Sequence, residues 1–364
     1  VILLIFNFDM NLISFFALTL TALTLSSAHA TPITITTIDG QALKGDLMMP
    51  LTNVAPKAAV LILQGSGNVS MDGDVSGPFL GMPLPGQSGK LSLQIAESLA
   101  KQGIASLRFN KRGVDNAEQL PNQKLPFILN DAKSAMELLK QQLPGLHYGV
   151  VGFSEGGILA SLLSNEIALD GLYLMAAPTR HIDAMLGYQF YAWPTKHLLG
   201  HLGAMNTPVI NASVVTANQA LNIPLVGSPL NSLDLNQDGQ ISVHDEVLPF
   251  YQGFYQQVRG LLATPQFAGW YESFKNLRNF SEIASGIQSK QVFFYQGTKD
   301  AQVSASWIME DSYSFSVKPT IRLYHGLGHC FSPMAGEYGE IKTAGPLSSS
   351  MLSDLTKDVS GLLN

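Results

Sequence analysis

Apolar and polar positions along this chain change period several times, and each change marks an element. Ile33-Thr34-Ile35-Thr36-Thr37-Ile38 alternates, Asp39-Gly40 offers a turn, and Ala42 to Met49 continues, which predicts an opening β-hairpin. Ala58 to Leu63 is apolar without a break, as in a strand covered on both faces. A long loop rich in Gly and Pro runs from Gln64 to Gly89. The pattern then predicts a helix over Leu91 to Lys101, a strand over Ile104 to Phe109 and a helix over Phe127 to Gln142. Ile128, Ala132, Ala135, Leu138 and Leu139 share one face of that second helix. A strand from His147 to Phe153, a helix from Gly156 to Asn165 and a strand from Gly171 to Ala177 follow.

Strands and helices alternating at this spacing give parallel strands joined by crossovers, hence an α/β fold with a mostly parallel sheet covered on both faces. The alternation stops over residues 181–290, a stretch too long for a crossover and rich in aromatics and Pro. It resumes with a strand at Gln291 to Gln296, a helix at Ser304 to Tyr313, a strand at Thr320 to Tyr324 and a helix at Leu347 to Leu363. The expected organisation is a core of residues 31–180 and 291–364, with 181–290 inserted as a helical cap or lid domain.

The first thirty residues read as a targeting segment. Met10 resembles a natural start, Leu12 to Leu25 is almost wholly apolar, and Ala28-His29-Ala30 is a small-residue cleavage signal. No Lys or Arg precedes Lys44, so the basic flank of a signal peptide is missing, and an uncleaved anchor is the alternative. The expectation is a signal peptide over 1–30, cleavage after Ala30, and a periplasmic or secreted protein held by no membrane afterwards.

Composition narrows the classes. Net charge is −6 and charged residues are 13% of the chain, with no basic cluster, which argues against a nucleic-acid partner. One cysteine, Cys330, leaves no intrachain disulfide and no thiolate metal cluster. It reads as a buried, inert thiol.

The chemistry centres on Gly152-Phe153-Ser154-Glu155-Gly156-Gly157, where a predicted strand ends and a helix begins. Gly-x-Ser-x-Gly at such a junction is the form of a nucleophile elbow, with Ser154 at its tip. A serine hydroxyl needs a base to take its proton, and an imidazole oriented by a carboxylate supplies one. Asp300 follows the strand ending at Gln296 and His329 follows the strand ending at Tyr324. Both therefore sit at strand C-termini, in the chain order Ser, acid, His. Asp183 is the reserve acid and His325 the rival histidine. An oxyanion hole needs two main-chain N–H groups, expected from Glu155 and from Ser66 (or Gly65) in Gln64-Gly65-Ser66-Gly67.

These residues resemble a known group. Gln64-Gly65-Ser66-Gly67-Asn68 with Asp72-Gly73, then Arg108-Phe109-Asn110-Lys111-Arg112-Gly113-Val114, then Gly152 to Gly157, are similar to the EstD-like esterases of the serine α/β-hydrolase superfamily, related to the serine aminopeptidase-type hydrolases. The resemblance implies the α/β-hydrolase fold, a Ser154-Asp300-His329 triad and hydrolysis of a small carboxylic ester without an organic cofactor. The same triad serves a peptidase or amidase. A calcium-dependent binding protein on an inactive scaffold is the reading from another class.

Within the cap, Asp234-Leu-Asn236-Gln-Asp238-Gly239-Gln240-Ile241-Ser242-Val-His-Asp245 has the spacing of a twelve-residue EF-hand loop. Asp234, Asn236, Asp238, Ser242 and Asp245 supply side-chain oxygens, Gln240 a main-chain carbonyl, and Gly239 the sharp turn. Asp rather than Glu at the last position resembles dockerin half-motifs. One structural calcium pinning the cap is the expectation. Tyr188, Phe190, Tyr191, Trp193, Trp270, Tyr271 and Phe274 read mostly as cap core, with a minority lining a pocket over Ser154. His197 and His201 share a helical face, but no third ligand or HExxH accompanies them. Oligomeric state is not legible in the chain.

Overall fold

The structure is a computed structural model, described here for residues 30–51, 55–74, 89–218, 223, 228–333 and 346–363. Residues 1–29 of the expected targeting segment and part of the loop after Gln64 lie outside the described residues, while Ala30 is the first residue of the opening strand.

Ten strands and eleven α-helices are described. β1 (Ala30–Thr36) and β2 (Ala42–Met48) form the predicted antiparallel hairpin. β3 (Ala58–Leu63), α1 (Leu91–Lys101), β4 (Ala105–Phe109), α2 (Leu125–Gln142), β5 (His147–Phe153), α3 (Glu155–Glu166) and β6 (Gly171–Met175) follow in the expected alternation. The insertion carries α4 (Ile182–Gly187), α5 (Trp193–His201), β7 (Val209–Ile210), α6 (Ala212–Ala217), β8 (Ile241–Ser242), α7 (Leu248–Leu262), α8 (Pro265–Lys275) and α9 (Phe280–Ser285). β9 (Val292–Gly297), α10 (Ala305–Asp311), β10 (Thr320–Tyr324) and α11 (Ser349–Ser360) complete the chain.

Eight strands form one sheet in the order β1-β2-β4-β3-β5-β6-β9-β10. From β4 through β10 every pairing is parallel, while β2 runs antiparallel to β1 and β4. The strand sequences explain why. All six residues of β3 are buried, and so are all five of β4 and of β6. Side chains alternate between faces, so a strand covered on both sides has no polar positions to spare. Ala59, Leu61 and Leu63 face one layer, which includes Ile128 and Ala132 of α2 and Ile158 and Leu162 of α3. Ala58, Val60 and Ile62 face the other, with Ile95 and Leu99 of α1 and Met351 and Leu355 of α11. This is the α/β-hydrolase fold, and β5 lies near the middle of its sheet.

The insertion has a small core of its own, including Leu198, Ile210, Leu230, Ile241 and Tyr251. Other apolar side chains of the insertion, among them Phe190, Tyr271 and Phe274, join the layer beneath α2 and α3. The helical elements of 182–285 are thus seated on the sheet domain at its strand C-terminal end. Among the described residues, no helix is long and apolar enough to cross a membrane.

Candidate active site

The turn after β5 is built by close backbone approach. A Cβ on Gly156 would stand 2.3 Å from the Leu63 carbonyl oxygen, and one on Gly152 would stand 2.3 Å from that of Gly156. No side chain fits either place, so the glycines let α3 start directly against β3 and β5. Ser154 takes the strain, at φ 53° and ψ −120°, a region that L-residues occupy at a cost of roughly 1–3 kcal/mol. Its N–H donates to the Met175 carbonyl of β6 at 2.9 Å, and its carbonyl accepts from Gly157 N–H at 2.8 Å. The strained residue is fixed from both sides.

Asp300 and His329 are brought together as the strand-end positions predict. The loops after β9 and β10 touch at Gly297, where a Cβ would meet the Leu327 oxygen at 2.3 Å. Lys299 N–H donates to the same Leu327 carbonyl at 3.0 Å. His329 Nδ1 then lies 3.0 and 2.9 Å from the two Asp300 carboxylate oxygens. With a carboxylate as acceptor, Nδ1 carries the proton, so Nε2 is left to accept one. Asp300 is buried and further held by the N–H groups of Gln302 (2.7 Å) and Val303 (2.9 Å) and by Gln296 Nε2 (2.8 Å). The His329 ring packs on Phe153, the neighbour of Ser154, with ring centroids 5.0 Å apart. His325 is exposed on the turn after β10. Asp183 accepts from the Tyr271 hydroxyl on α8 and is not part of this cluster. Tyr188 OH reaches the Asp300 carbonyl at 3.2 Å, joining the insertion to the acid's loop.

The loop after β3 converges on the elbow. A Cβ on Gly65 would lie 3.3 Å from Ser154 Cβ, and Ser66 lines a cleft together with Ser154 and Glu155. Among the described residues, no main-chain hydrogen bond takes up the N–H of Ser66 or of Glu155. For Glu155 the reason is general: the first N–H groups of a helix have no partner within it. Two main-chain donors thus remain available beside Ser154.

Three contributors to the site were not expected from the sequence. Lys111, just past the end of β4, donates from Nζ to Glu155 Oε1 at 2.6 Å and to the Gly65 carbonyl at 2.9 Å. Trp270 of α8 donates from Nε1 to Glu155 Oε2 at 2.6 Å. Gln296 is the third, through its bond to Asp300. The hints were the position of Lys111 just past a strand C-terminus, within the esterase-like stretch Arg108 to Val114, and the presence of Trp270 among the aromatics of the insertion. The basic residues around it are pins. Arg108 pairs with Asp46 and Asp72, and buried Arg112 pairs with Asp39 and Asp131. Arg112 holds the Asp39 carboxyl down to about 2, while burial pushes Asp131 up.

The cleft over Ser154 measures about 770 Å³ with its open mouth included. Ile158, Ile182, Met185, Leu186 and Phe274 give it an apolar wall, and Arg180, Arg278 and Gln302 add polar positions.

The loop at 234–245 is turned as its spacing predicts, with Gly239 at φ +80°. Its oxygens accept from its own backbone. Asp234 takes the N–H groups of Asp238 and Gly239, Asn236 that of Asp238, and Asp238 that of Gln240. Asp245 is exposed and accepts from the Ser242 hydroxyl, whereas buried Glu246, one residue on, accepts from Leu235 and Ser242 N–H at 2.8 Å each. The donor set is all hard oxygen, which suits calcium in kind. Among the described residues, no group of three or more His, Cys, Asp or Glu side chains is disposed to hold a metal. His197 stacks on Trp193, and burial pushes its pKa down to about 4. Cys330 is half-buried rather than buried as expected, but desolvation of its sulfur, with Asp300 adding to it, pushes the thiol up to about 12, in keeping with an inert thiol.

No protein-family model matches the chain. Esterase EstD of Thermotoga maritima is 27% identical over 151 residues, which are 41% of this chain and 33% of that protein. The match therefore spans about a third of that relative's length. Among solved structures, the esterase domain of a Rhodothermus marinus protein is 13% identical over 92% of this chain and 97% of its own, with a TM-score of 0.47. Est1E from Butyrivibrio proteoclasticus is 13% identical over 91% and 97%, with a TM-score of 0.46. A dienelactone hydrolase from Anabaena variabilis is 12% identical over 93% and 97%, with a TM-score of 0.49. The fold assignment rests on the sheet order and the elbow.

Proposed function

We propose that this chain is a serine esterase that cleaves small, partly apolar carboxylic esters through an acyl-enzyme. The observation that carries the reading is the buried Asp300–His329 pair packed beside Phe153 and the strained Ser154. Ser154 Oγ attacks the ester carbonyl while His329 Nε2 takes its proton. The oxyanion that forms accepts from the Ser66 and Glu155 N–H groups. Its collapse breaks the bond to the alkoxy group, which leaves with the proton from His329. Water then attacks the acyl-serine, gives its proton to His329, and the acid is released as Ser154 is reprotonated. Asp300 keeps the imidazole in the tautomer that both halves need. The apolar wall of the cleft suits an acyl or aromatic group of modest size. The esterase name of the Thermotoga maritima relative agrees with this reading.

Two further readings complete the proposal. The apolar run at Leu12 to Leu25 with Ala28-His29-Ala30 supports export to the periplasm or beyond, with cleavage after Ala30. The loop Asp234, Asn236, Asp238, Gln240, Ser242, Asp245 takes one structural calcium. The side-chain oxygens of Asp234, Asn236, Asp238, Ser242 and Asp245 and the Gln240 carbonyl would hold that ion, which would pin the loop.

The test is a panel of p-nitrophenyl esters beside aminoacyl-anilides, with wild type and Ser154→Ala. Ester turnover that falls at least about a thousandfold in the variant supports the reading. Turnover of anilides but not esters would move the chain to the peptidase class. Ester turnover that survives the substitution would overturn the role of Ser154.

A further inference from the structure

The geometry points to a positioning device for the oxyanion hole: Lys111 and Glu155 aim both main-chain donors, and the insertion latches the pair through Trp270. The inference rests on the reading that Ser66 and Glu155 N–H groups hold the oxyanion.

Lys111 is 5% exposed and Glu155 2%, so the pair lies out of solvent, where an ammonium and a carboxylate hold fixed positions only if their remaining bonding capacity is met. Two of the Lys111 donors and both Glu155 oxygens are taken up by groups of the site itself. One Lys111 donor goes to the Gly65 carbonyl at 2.9 Å. That carbonyl belongs to the same peptide unit as the Ser66 N–H. In a trans peptide the two point in opposite directions, so fixing the oxygen fixes the line along which Ser66 donates. The cation also draws electron density from that peptide and makes its N–H a stronger donor. A second Lys111 donor goes to Glu155 Oε1 at 2.6 Å. Glu155 is the residue whose own N–H is the other oxyanion donor. One ammonium therefore ties the two halves of the hole to each other and to the end of β4.

Trp270 adds the insertion. Its Nε1 donates to Glu155 Oε2 at 2.6 Å, and its ring lines the cleft. Ser273, on the same helix, accepts from Leu125 N–H of the sheet domain at 2.9 Å, so α8 is also anchored close by. A shift of α8 would pull on the Glu155 carboxylate and through it on Lys111. Complete oxyanion geometry is thus linked to the seated insertion.

The test uses the full-length protein and two variants, Trp270→Phe and the double variant K111M/E155Q. The double variant removes both charges together, so no buried charge is left unpaired, while the amide oxygen that E155Q introduces can still accept from Trp270. Removing one oxyanion donor outright typically costs about 100- to 1,000-fold in kcat, so loosening two without removing them predicts a fall of roughly 10- to 100-fold, with KM within about twofold. Affinity for a trifluoromethyl ketone, whose adduct with serine carries the oxyanion, falls by the same factor. Trp270→Phe gives a smaller fall in both quantities, roughly 3- to 10-fold. A merely structural role would lower the melting temperature without that parallel loss. The inference is overturned if kcat and ketone affinity in the double variant stay within twofold of wild type, or if kcat falls and ketone affinity does not. If the double variant does not fold, Trp270→Phe decides by the same two readings. Ester turnover that depends on Ser154 but ignores Lys111, Glu155 and Trp270 would sink this inference alone. Turnover that ignores Ser154 would sink the reading beneath it.

Discussion

His329 Nδ1 stands within 3.0 Å of both carboxylate oxygens of Asp300, and that carboxylate also accepts from Gln302 N–H, Val303 N–H and Gln296 Nε2. So many donors fix it in one orientation. Replacing Asp300 by Asn puts an N–H₂ where an acceptor is needed and favours the wrong imidazole tautomer. Asp300→Asn is expected to lower kcat for an ester by about 10³- to 10⁴-fold with the fold intact, measured by steady-state kinetics beside circular dichroism. A loss under tenfold would assign the acid to another residue.

Gly156 faces the Leu63 oxygen at a distance that no Cβ tolerates. Gly156→Ala must push α3 away from β3, at a cost of roughly 1–3 kcal/mol or more, as overpacking does elsewhere. The melting temperature is expected to fall by several degrees and turnover to fall with it, because Ser154 rides on that turn. A variant as stable and active as wild type would remove the elbow's steric basis.

Arg112 holds the Asp39 carboxyl at about 2, below the ordinary 3.8, chiefly through the hydrogen-bonded pair. The folded chain therefore binds fewer protons than the unfolded chain between these values. The pair's contribution to stability is full above about pH 4 and is lost as pH falls through about 2. Asp39→Asn is expected to lower the melting temperature at pH 7, with the difference from wild type shrinking toward zero near pH 2. A difference that stays constant across this range would contradict the assignment.

Much of this was legible in the chain, and the physical reason is locality. The strand His147 to Phe153, the helix Leu91 to Lys101 and the strand Thr320 to Tyr324 stand as their patterns predict. So does the hairpin, starting three residues earlier, at Ala30. Ser154, Asp300 and His329 are each marked by a strand end, and strand ends of one parallel sheet share an edge. Glu155 and Trp270 carry no such mark, and the strand end before Lys111 does not name its partners, because the meeting of the three depends on how β4, α3 and α8 pack. Glu155 stood in view only for its N–H, since a helix start explains an N–H but not a side-chain partner. Glu246 was hidden too. Loop spacing singles out Asp245, while burial of the next turn is what brings Glu246 onto the loop's amides.

The proposed calcium site at 234–245 makes its own prediction. Its carboxylates accept amide hydrogens of the same turn, which holds their oxygens on one side of the loop's backbone. Added calcium is expected to raise the melting temperature, a chelator to reverse the rise, and Asp238→Ala to abolish the response. A melting temperature indifferent to both calcium and chelator would reduce the segment to a hydrogen-bonded turn.

The central claim concerns one oxygen atom, Ser154 Oγ. A fluorophosphonate probe reacts with a serine only where a base activates it and an oxyanion hole receives the phosphoryl oxygen. Peptide mass spectrometry of the labelled wild-type protein is expected to find one adduct, on Ser154, and none on His329→Ala treated alike. No adduct on wild type, an adduct on another residue, or equal labelling of Ser154 without His329 would contradict the account.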